Sequence, residues 1–278
     1  MKQLFDEVSA NCSKLVTRKY STSFSLGIRF LHHSQHEPIY AIYGFVRFAD
    51  EIVDSFHGFN KRELMKKFRE DTVEAILERI SLNPILNSFQ KAVHEYGIEW
   101  NLIDTFLKSM EMDLERTEHD LASYETYILG SAEVVGLMCL KVFVKGNEEE
   151  YLRLKPYAMS LGAAFQKVNF LRDAQADLEL LGRTYFPGVN IGSMSEDDKR
   201  KIEEEIEKDF DHALIGIRSL GPHSRSGVYL AYYYYKALFH KIKSLPSHRI
   251  LKERIRIPNV QKFGLMFQCA VRNQLNLL

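Results

Sequence analysis

Two aspartate pairs carry the strongest chemical signal in this sequence: Asp50/Asp54 in RFADEIVDSF and Asp173/Asp177 in QKVNFLRDAQADL. A spacing of four on a helix puts both carboxylates of a pair on one face, where like charges weaken the helix by about 0.2–0.5 kcal/mol. Two such pairs in apolar surroundings point to a bound cation. Around the first pair, Tyr43, Arg47, Asp50 and Asp54 recur at intervals of four, three and four and form one stripe. Its neighbours include Ile39, Ile42, Phe45, Val46, Ile52 and Val53, among which unpartnered polar groups are costly to bury. A solvated face with an Arg47/Glu51 ion pair is the competing reading. Around the second pair, Gln166, Asn169, Asp173 and Asp177 form a ladder of oxygen donors with Arg172 beside it. Hard oxygen donors on one rigid helix suit Mg²⁺, which takes one or two carboxylates plus phosphate oxygens and keeps several waters. The alternative is an ordinary polar stripe with Arg172 and Asp177 as solvent charges. Two ladders of one kind favour Mg²⁺ ions held between facing helices and bridged by a diphosphate.

In that arrangement the metal is a Lewis acid. Neutralising diphosphate charge as a C–O bond breaks grows in importance toward the transition state, so it accelerates ionisation. The allylic cation left behind needs unreactive walls with aromatic faces. Phe24, Phe45, Tyr127, Met138, Phe165 and Phe170 are candidates, each with plain core packing as the alternative. In the run Tyr232 to Tyr235 one or two side chains at most can line a cavity. Ser21 and Ser23, next to Phe24, could hold phosphate oxygens, as could Arg254, Arg256 and Lys262 in the tail; a helix N-cap for Ser21 and a solvated surface for the tail stay open. GRTYFPGVN (182–190), with Arg183 and Tyr185, reads as a loop able to close over a polar site. GxSxG, Walker A and GxGxxG motifs are absent, and His32, His33 and His36 lack HExxH spacing and read as exposed.

Apolar residues recur at three and four throughout, so the class is all-α. Helices are expected over 4–18, 38–56, 61–80, 84–96, 99–119, 122–144, 148–180, 196–219, 224–244 and 259–275, with the prolines, Pro156 among them, mostly where helices begin, break or stop. No linker divides the 278 residues, and 45% hydrophobic content supports one domain with a sizeable core. Thirty-seven basic and 37 acidic residues cancel, which leaves no field to attract nucleic acid. Three scattered cysteines read as reduced thiols. No apolar signal core and no transmembrane segment is evident, so the expectation is a cytoplasmic protein, with at most transient contact at the inner membrane face.

The chain resembles squalene/phytoene synthases, the head-to-head prenyltransferases, and most closely the bacterial phytoene synthases of carotenoid biosynthesis. The resemblance spans nearly the full length and rests on YSTSF (20–24), AIYGFVRFADEIVD (41–54), MEMDLE (110–115), Tyr124 through Gly136, QKVNFLRDAQAD (166–177), GRTYFP (182–187) and the Tyr235/Phe239/Ile242 helix. It implies the isoprenoid synthase fold, with both aspartate motifs facing a central cavity. It also implies Mg²⁺, or Mn²⁺ in its place, between diphosphate and protein, with Asp50, Asp54, Asn169, Asp173 and Asp177 as metal residues. Gln166 would line the site, while Tyr43, Arg47, Ser21, Ser23, Arg172, Arg183, Tyr185 and Tyr235 would hold diphosphate or face the reacting carbons. The implied reaction joins two geranylgeranyl diphosphates through prephytoene diphosphate to phytoene, without NADPH.

Four positions depart from the family's usual pattern: Glu51 for an aspartate, Ala176 for an acid, Lys167 for an apolar residue and Glu133 for a small one. Glu133 bears on the shape of the cavity beside it. A squalene or dehydrosqualene synthase using farnesyl diphosphate is the nearest alternative activity. A noncatalytic helical assembly factor is the alternative of another kind, and the intact aspartates argue against it. Of the two ladders, the second, with its Gln and Asn oxygens, is expected to be the better metal cage.

Overall fold

The computed structural model describes residues 1–115, 118–250, 252, 255–258 and 264. Twelve α-helices follow one another among the described residues: α1 (Lys2–Tyr20), α2 (Thr22–Arg29), α3 (His36–Asp54), α4 (Lys61–Glu78), α5 (Pro84–Tyr96), α6 (Trp100–Met112), α7 (Leu121–Ile128), α8 (Val134–Phe143), α9 (Glu148–Ala176), α10 (Glu196–Ser219), α11 (Pro222–Lys243) and α12 (Ser247–Ile250). Two π-helical turns extend them, Leu129–Glu133 between α7 and α8 and Asp177–Leu181 after α9. A single bridge between Glu118 and Thr184 is the one β-type pairing among the described residues. The expected helix over 259–275, together with Arg254, Lys262 and Cys269, lies outside the described residues.

Local chemistry explains most boundaries. Asn60, Asn83, Asp120, Asn147 and Ser195 each accept a backbone N–H at the start of a helix, and Pro84 and Pro222 stand in first turns where their missing N–H costs nothing. Two expectations need correction. The segment expected as helix 99–119 stops at Met112 and passes into turns over residues 113–115, where the Asp113 carboxylate accepts the Tyr127 hydroxyl. An unforeseen helix, α2, follows α1 across Ser21, whose hydroxyl caps it by accepting from the Phe24 N–H at 3.1 Å. Pro156 sits inside α9, as the expected helix over 148–180 requires, and the Ser160 hydroxyl bonds to its carbonyl at 3.2 Å. Packing on both sides holds this helix through a residue that would stop an isolated one.

The buried apolar side chains form one continuous cluster that every helix from α2 onward enters. Phe45 is fully buried at its middle, stacked on Phe89 at 4.0 Å and beside Phe68 and Phe106. α9 runs down the centre, packed on α10, α8 and the first π turn, while α3 packs on α1 and α5. Backbone contact fixes the central pair: a Cβ on Gly162 would lie 2.6 Å from the Ala132 carbonyl, and one on Gly136 2.9 Å from that of Ala158. Although no transmembrane segment is expected from the sequence, the continuous stretch Leu121–Phe143 is long and apolar enough to cross a membrane by length and composition; 56% of its most apolar 18-residue window is buried against the other helices, as in a core helix.

Candidate active site

The site begins where α1 gives way to α2. The kink at Ser21 brings Tyr20, Ser21 and Phe24 against the Tyr43/Arg47 stripe of α3. Ser21 is hydrogen-bonded to Tyr43, Phe24 lies 5.0 Å from the Tyr43 ring, and Arg47 sits 4.4 Å from the Tyr20 ring centroid. The Arg47 guanidinium reaches both Asp50 and Glu51. The Arg47/Glu51 ion pair therefore exists, but partly buried rather than on a solvated face. Burial, reinforced by the negative charge of Asp54, pushes Asp50 up to about 7. Burial likewise raises Tyr43 to about 12.

Asp54, at the last turn of α3, receives Arg183 from the 182–190 loop at 2.8 Å. Arg183 is almost fully buried and also donates to the backbone carbonyl of Asp113 at 3.0 Å. Beside it the Asp113 carboxylate accepts the Tyr127 hydroxyl at 2.7 Å. Burial pushes Asp113 up to about 7 in spite of Arg183, and Tyr127 is pushed well above the ordinary phenol range by burial and then by Asp113.

The second ladder faces this group from the last turns of α9. Asn169 accepts the Tyr235 hydroxyl of α11 at 3.2 Å, and the Tyr235 ring stacks on Phe165 at 3.9 Å. Arg172 grips its neighbour Asp173 through Nε at 3.0 and 3.1 Å; burial opposes its charge, but this pairing holds it above the usual guanidinium range. Asp177 opens the π turn, and burial, with Asp173 and then Asp54 adding negative charge, raises it to about 7. Below it Tyr185 stacks on Phe170 at 3.9 Å, with Tyr127 5.3 Å from Tyr185. Both aspartate pairs thus lie at the C-terminal ends of their helices, which leaves them without helpful helix dipoles.

The structure brings together Ser21, Phe24, Tyr43, Arg47, Asp50 and Asp54 with Asn169, Arg172, Asp173, Asp177, Arg183, Tyr185 and Tyr235. Ser23 and Gln166 are half-buried on the same helices. Of the proposed walls, Phe24, Tyr127, Phe165 and Phe170 belong to this group, whereas Phe45 and Met138 are fully buried core. Arg256 is exposed. Of the three histidines only His33 is exposed; His36 bonds the Leu31 carbonyl at 3.0 Å and His32 packs on His223. Lys167 turns away from the ladder to Glu205 and to Asp209 at 2.8 Å on α10. Glu133 feels Lys167 and Asp209, so the two unusual residues share one outer polar cluster rather than intruding on the site. Asp113 was missed; the available signal was an acid among the apolar residues of MEMDLE.

Among the described residues no three Asp, Glu, His or Cys side chains converge as a ready-made metal-ligand set in this conformation. Three of the four ladder aspartates, Asp50, Asp173 and Asp54, are held instead by Arg47, Arg172 and Arg183. The donor chemistry nonetheless fits a hard cation. Asp50, Glu51, Asp54, Asp113, Asp173 and Asp177 outnumber the three guanidinium groups, and three of these acids are driven up to about 7. The deficit is of positive charge.

Residues 17–191 match the family model for squalene/phytoene synthase. The chain is 30% identical over 169 residues to a presqualene diphosphate synthase of Rhodopseudomonas palustris, covering 60% of this chain and 58% of that protein. It is 24% identical over 263 residues to phytoene synthase 1 of Solanum lycopersicum, covering 87% and 62%. The matched stretches thus span less than two thirds of these relatives' lengths. Among solved structures, a dehydrosqualene synthase in complex with ligand superposes with a TM-score of 0.84 at 17% identity, over 97% of this chain and 98% of that one, which establishes a shared all-α isoprenoid synthase fold. A model match over more than half the chain, with both aspartate ladders inside the matched residues, places this protein in the squalene/phytoene synthase family.

Proposed function

We propose that this protein condenses two prenyl diphosphates head to head, in a 1-1′ sense, and that the substrate is geranylgeranyl diphosphate and the product phytoene. One observation carries the reading: two carboxylate ladders on facing helices, short of positive charge, stand directly above stacked aromatic rings. Asp50, Asp54, Asn169, Asp173 and Asp177 would hold Mg²⁺, or Mn²⁺. When bound, the metal supplies Lewis-acid neutralisation of the diphosphate leaving group. Arg47 and Arg172, each now paired with a carboxylate, are the cations that can turn to phosphate oxygens, and Ser21 and Tyr43 offer hydroxyls beside them. Phe24, Tyr127, Phe165, Phe170 and Tyr235 present ring faces and exclude water from the allylic cation. In the first half one diphosphate ionises and alkylates the C2=C3 bond of the other, and proton loss closes the cyclopropane of prephytoene diphosphate. In the second half this ionises, rearranges to the 1-1′ link and loses a proton.

The deciding experiment is incubation with geranylgeranyl or farnesyl diphosphate and Mg²⁺, with and without NADPH, followed by identification of the hydrocarbon. Phytoene from the C20 substrate, independent of NADPH, is the expected result. Dehydrosqualene or squalene from the C15 substrate would replace the substrate assignment and keep the reaction class. Consumption of neither diphosphate would overturn the enzyme reading in favour of a noncatalytic assembly role. Contact with a membrane surface, proposed for release of a lipophilic product, is measured in the same reactions by co-sedimentation with vesicles.

A further inference from the structure

Arg183 lies between two carboxylates. Its Nη1 bonds to Asp54 Oδ1 at 2.8 Å and stands 3.7 Å from Asp113 Oδ1. That second oxygen is buried and has no hydrogen-bond partner among the described residues, while Oδ2 of the same carboxylate is occupied by the Tyr127 hydroxyl at 2.7 Å. An orphan acceptor on a carboxylate whose side chain is only 4% exposed is costly and calls for an explanation. The Arg183 Nη2, bonded to the Asp113 carbonyl at 3.0 Å, pins the guanidinium so that a shift of about 1 Å moves Nη1 from Asp54 onto Asp113 within ordinary hydrogen-bond length.

We propose that Asp113 is a positioning residue: the reserve partner that takes Arg183 when Asp54 is given up to a magnesium–diphosphate ligand. Without it, drawing Asp54 away would strand a buried guanidinium, which opposes binding. With it, Arg183 changes partners at little cost, and Tyr127 keeps the receiving carboxylate oriented. The inference rests on the proposed use of Asp54 as a metal residue and adds a role for a side chain outside both aspartate ladders.

The test compares wild type with Asp113→Asn, which keeps the shape and an acceptor for Tyr127 but removes the charge, and with Asp113→Glu. Binding of Mg²⁺ with inorganic pyrophosphate is measured by titration calorimetry, beside the Mg²⁺ dependence of turnover and thermal melting without ligand. Asp113→Asn is expected to weaken Mg²⁺–pyrophosphate binding, and to raise the Mg²⁺ needed for half-maximal turnover, by about tenfold to a hundredfold, the worth of a charged hydrogen bond. Turnover at saturating Mg²⁺ is expected to fall much less, and Asp113→Glu to recover part of the affinity. Unchanged Mg²⁺–pyrophosphate binding in a folded Asp113→Asn protein would overturn the proposal, as would loss of turnover with an unchanged Mg²⁺ requirement. If Asp113→Asn fails to fold, equal binding by wild type and the folded Asp113→Glu would overturn it as well. Failure of the wild type to consume any prenyl diphosphate would strike the enzymatic reading alone, since the calorimetric comparison needs no turnover.

Discussion

Replacing Asp50 by Asn is expected to make the ligand-free protein more stable, and only at neutral and alkaline pH. Asp50 stands at about 7 instead of the usual 3.8, chiefly through burial and then through Asp54. Its folded-state value therefore lies above its unfolded value. Below pH about 4 both states hold the proton and the group contributes no difference; between about 4 and 7 the unfolded chain releases it while the folded chain retains it. Rising pH across that window costs stability, and the cost is complete above 7. The unscreened shift corresponds to about 4 kcal/mol. A third of the side chain is accessible (33%), and screening there reduces the figure to about 2 kcal/mol. With about 2.1 cal/mol/K of unfolding entropy per residue, this is a rise in melting temperature of about 3 °C for the whole chain. Arg47 is not stranded by the change, because Glu51 still pairs with it. The assay is thermal melting of both proteins in EDTA from pH 4.5 to 8.5. The difference should grow from near zero to its plateau by pH 8, and the stabilisation that Mg²⁺ and pyrophosphate give the wild type should be lost in the variant. A variant that is less stable at pH 8, or whose difference does not vary with pH, would refute the account of Asp50 as a charge crowded by its neighbours.

Two further outcomes are expected. Gly162→Ala places a methyl 2.6 Å from the Ala132 carbonyl and 3.0 Å from the Glu133 Cα; because both are backbone, denaturant unfolding should register a loss of about 1–3 kcal/mol. Lys167→Met leaves Glu205, Asp209 and Glu133 without their cation and should cost about 1–3 kcal/mol at pH 8. The loss should shrink at pH 5, where Glu133, raised by burial to about 7, carries its proton; turnover at saturating Mg²⁺ should be unaffected, and a large fall in it would place Lys167 in the site after all.

Much of the architecture is dictated locally. The 3.6-residue periodicity and the asparagine, serine and proline starts specify α5 and α10 to the residue, because capping groups and apolar stripes act within a few turns. The ladders were legible for the same reason: intervals of three and four are a property of one helix. Arg183 and Tyr185 stood out only as part of a loop able to close over a polar site, and family resemblance gave them and Tyr235 their roles; all three lie on other elements and share no spacing with the aspartates.

Tertiary structure decided what local rules cannot reach. Whether Phe45 or Phe165 meets the cavity depends on which neighbour each helical face receives, and Phe45 receives Phe89. Pro156 is tolerated because α9 is held along its length, and the carboxylate just past the end of α6 finds its partner in Tyr127, fourteen residues on. The partnering of Asp54 with Arg183, 129 residues away, is likewise a result of assembly. The residues that could do the chemistry follow from the sequence. Their charge state and their exchange of partners follow from burial, because desolvation and neighbouring charge act through space and leave no periodic trace along the chain.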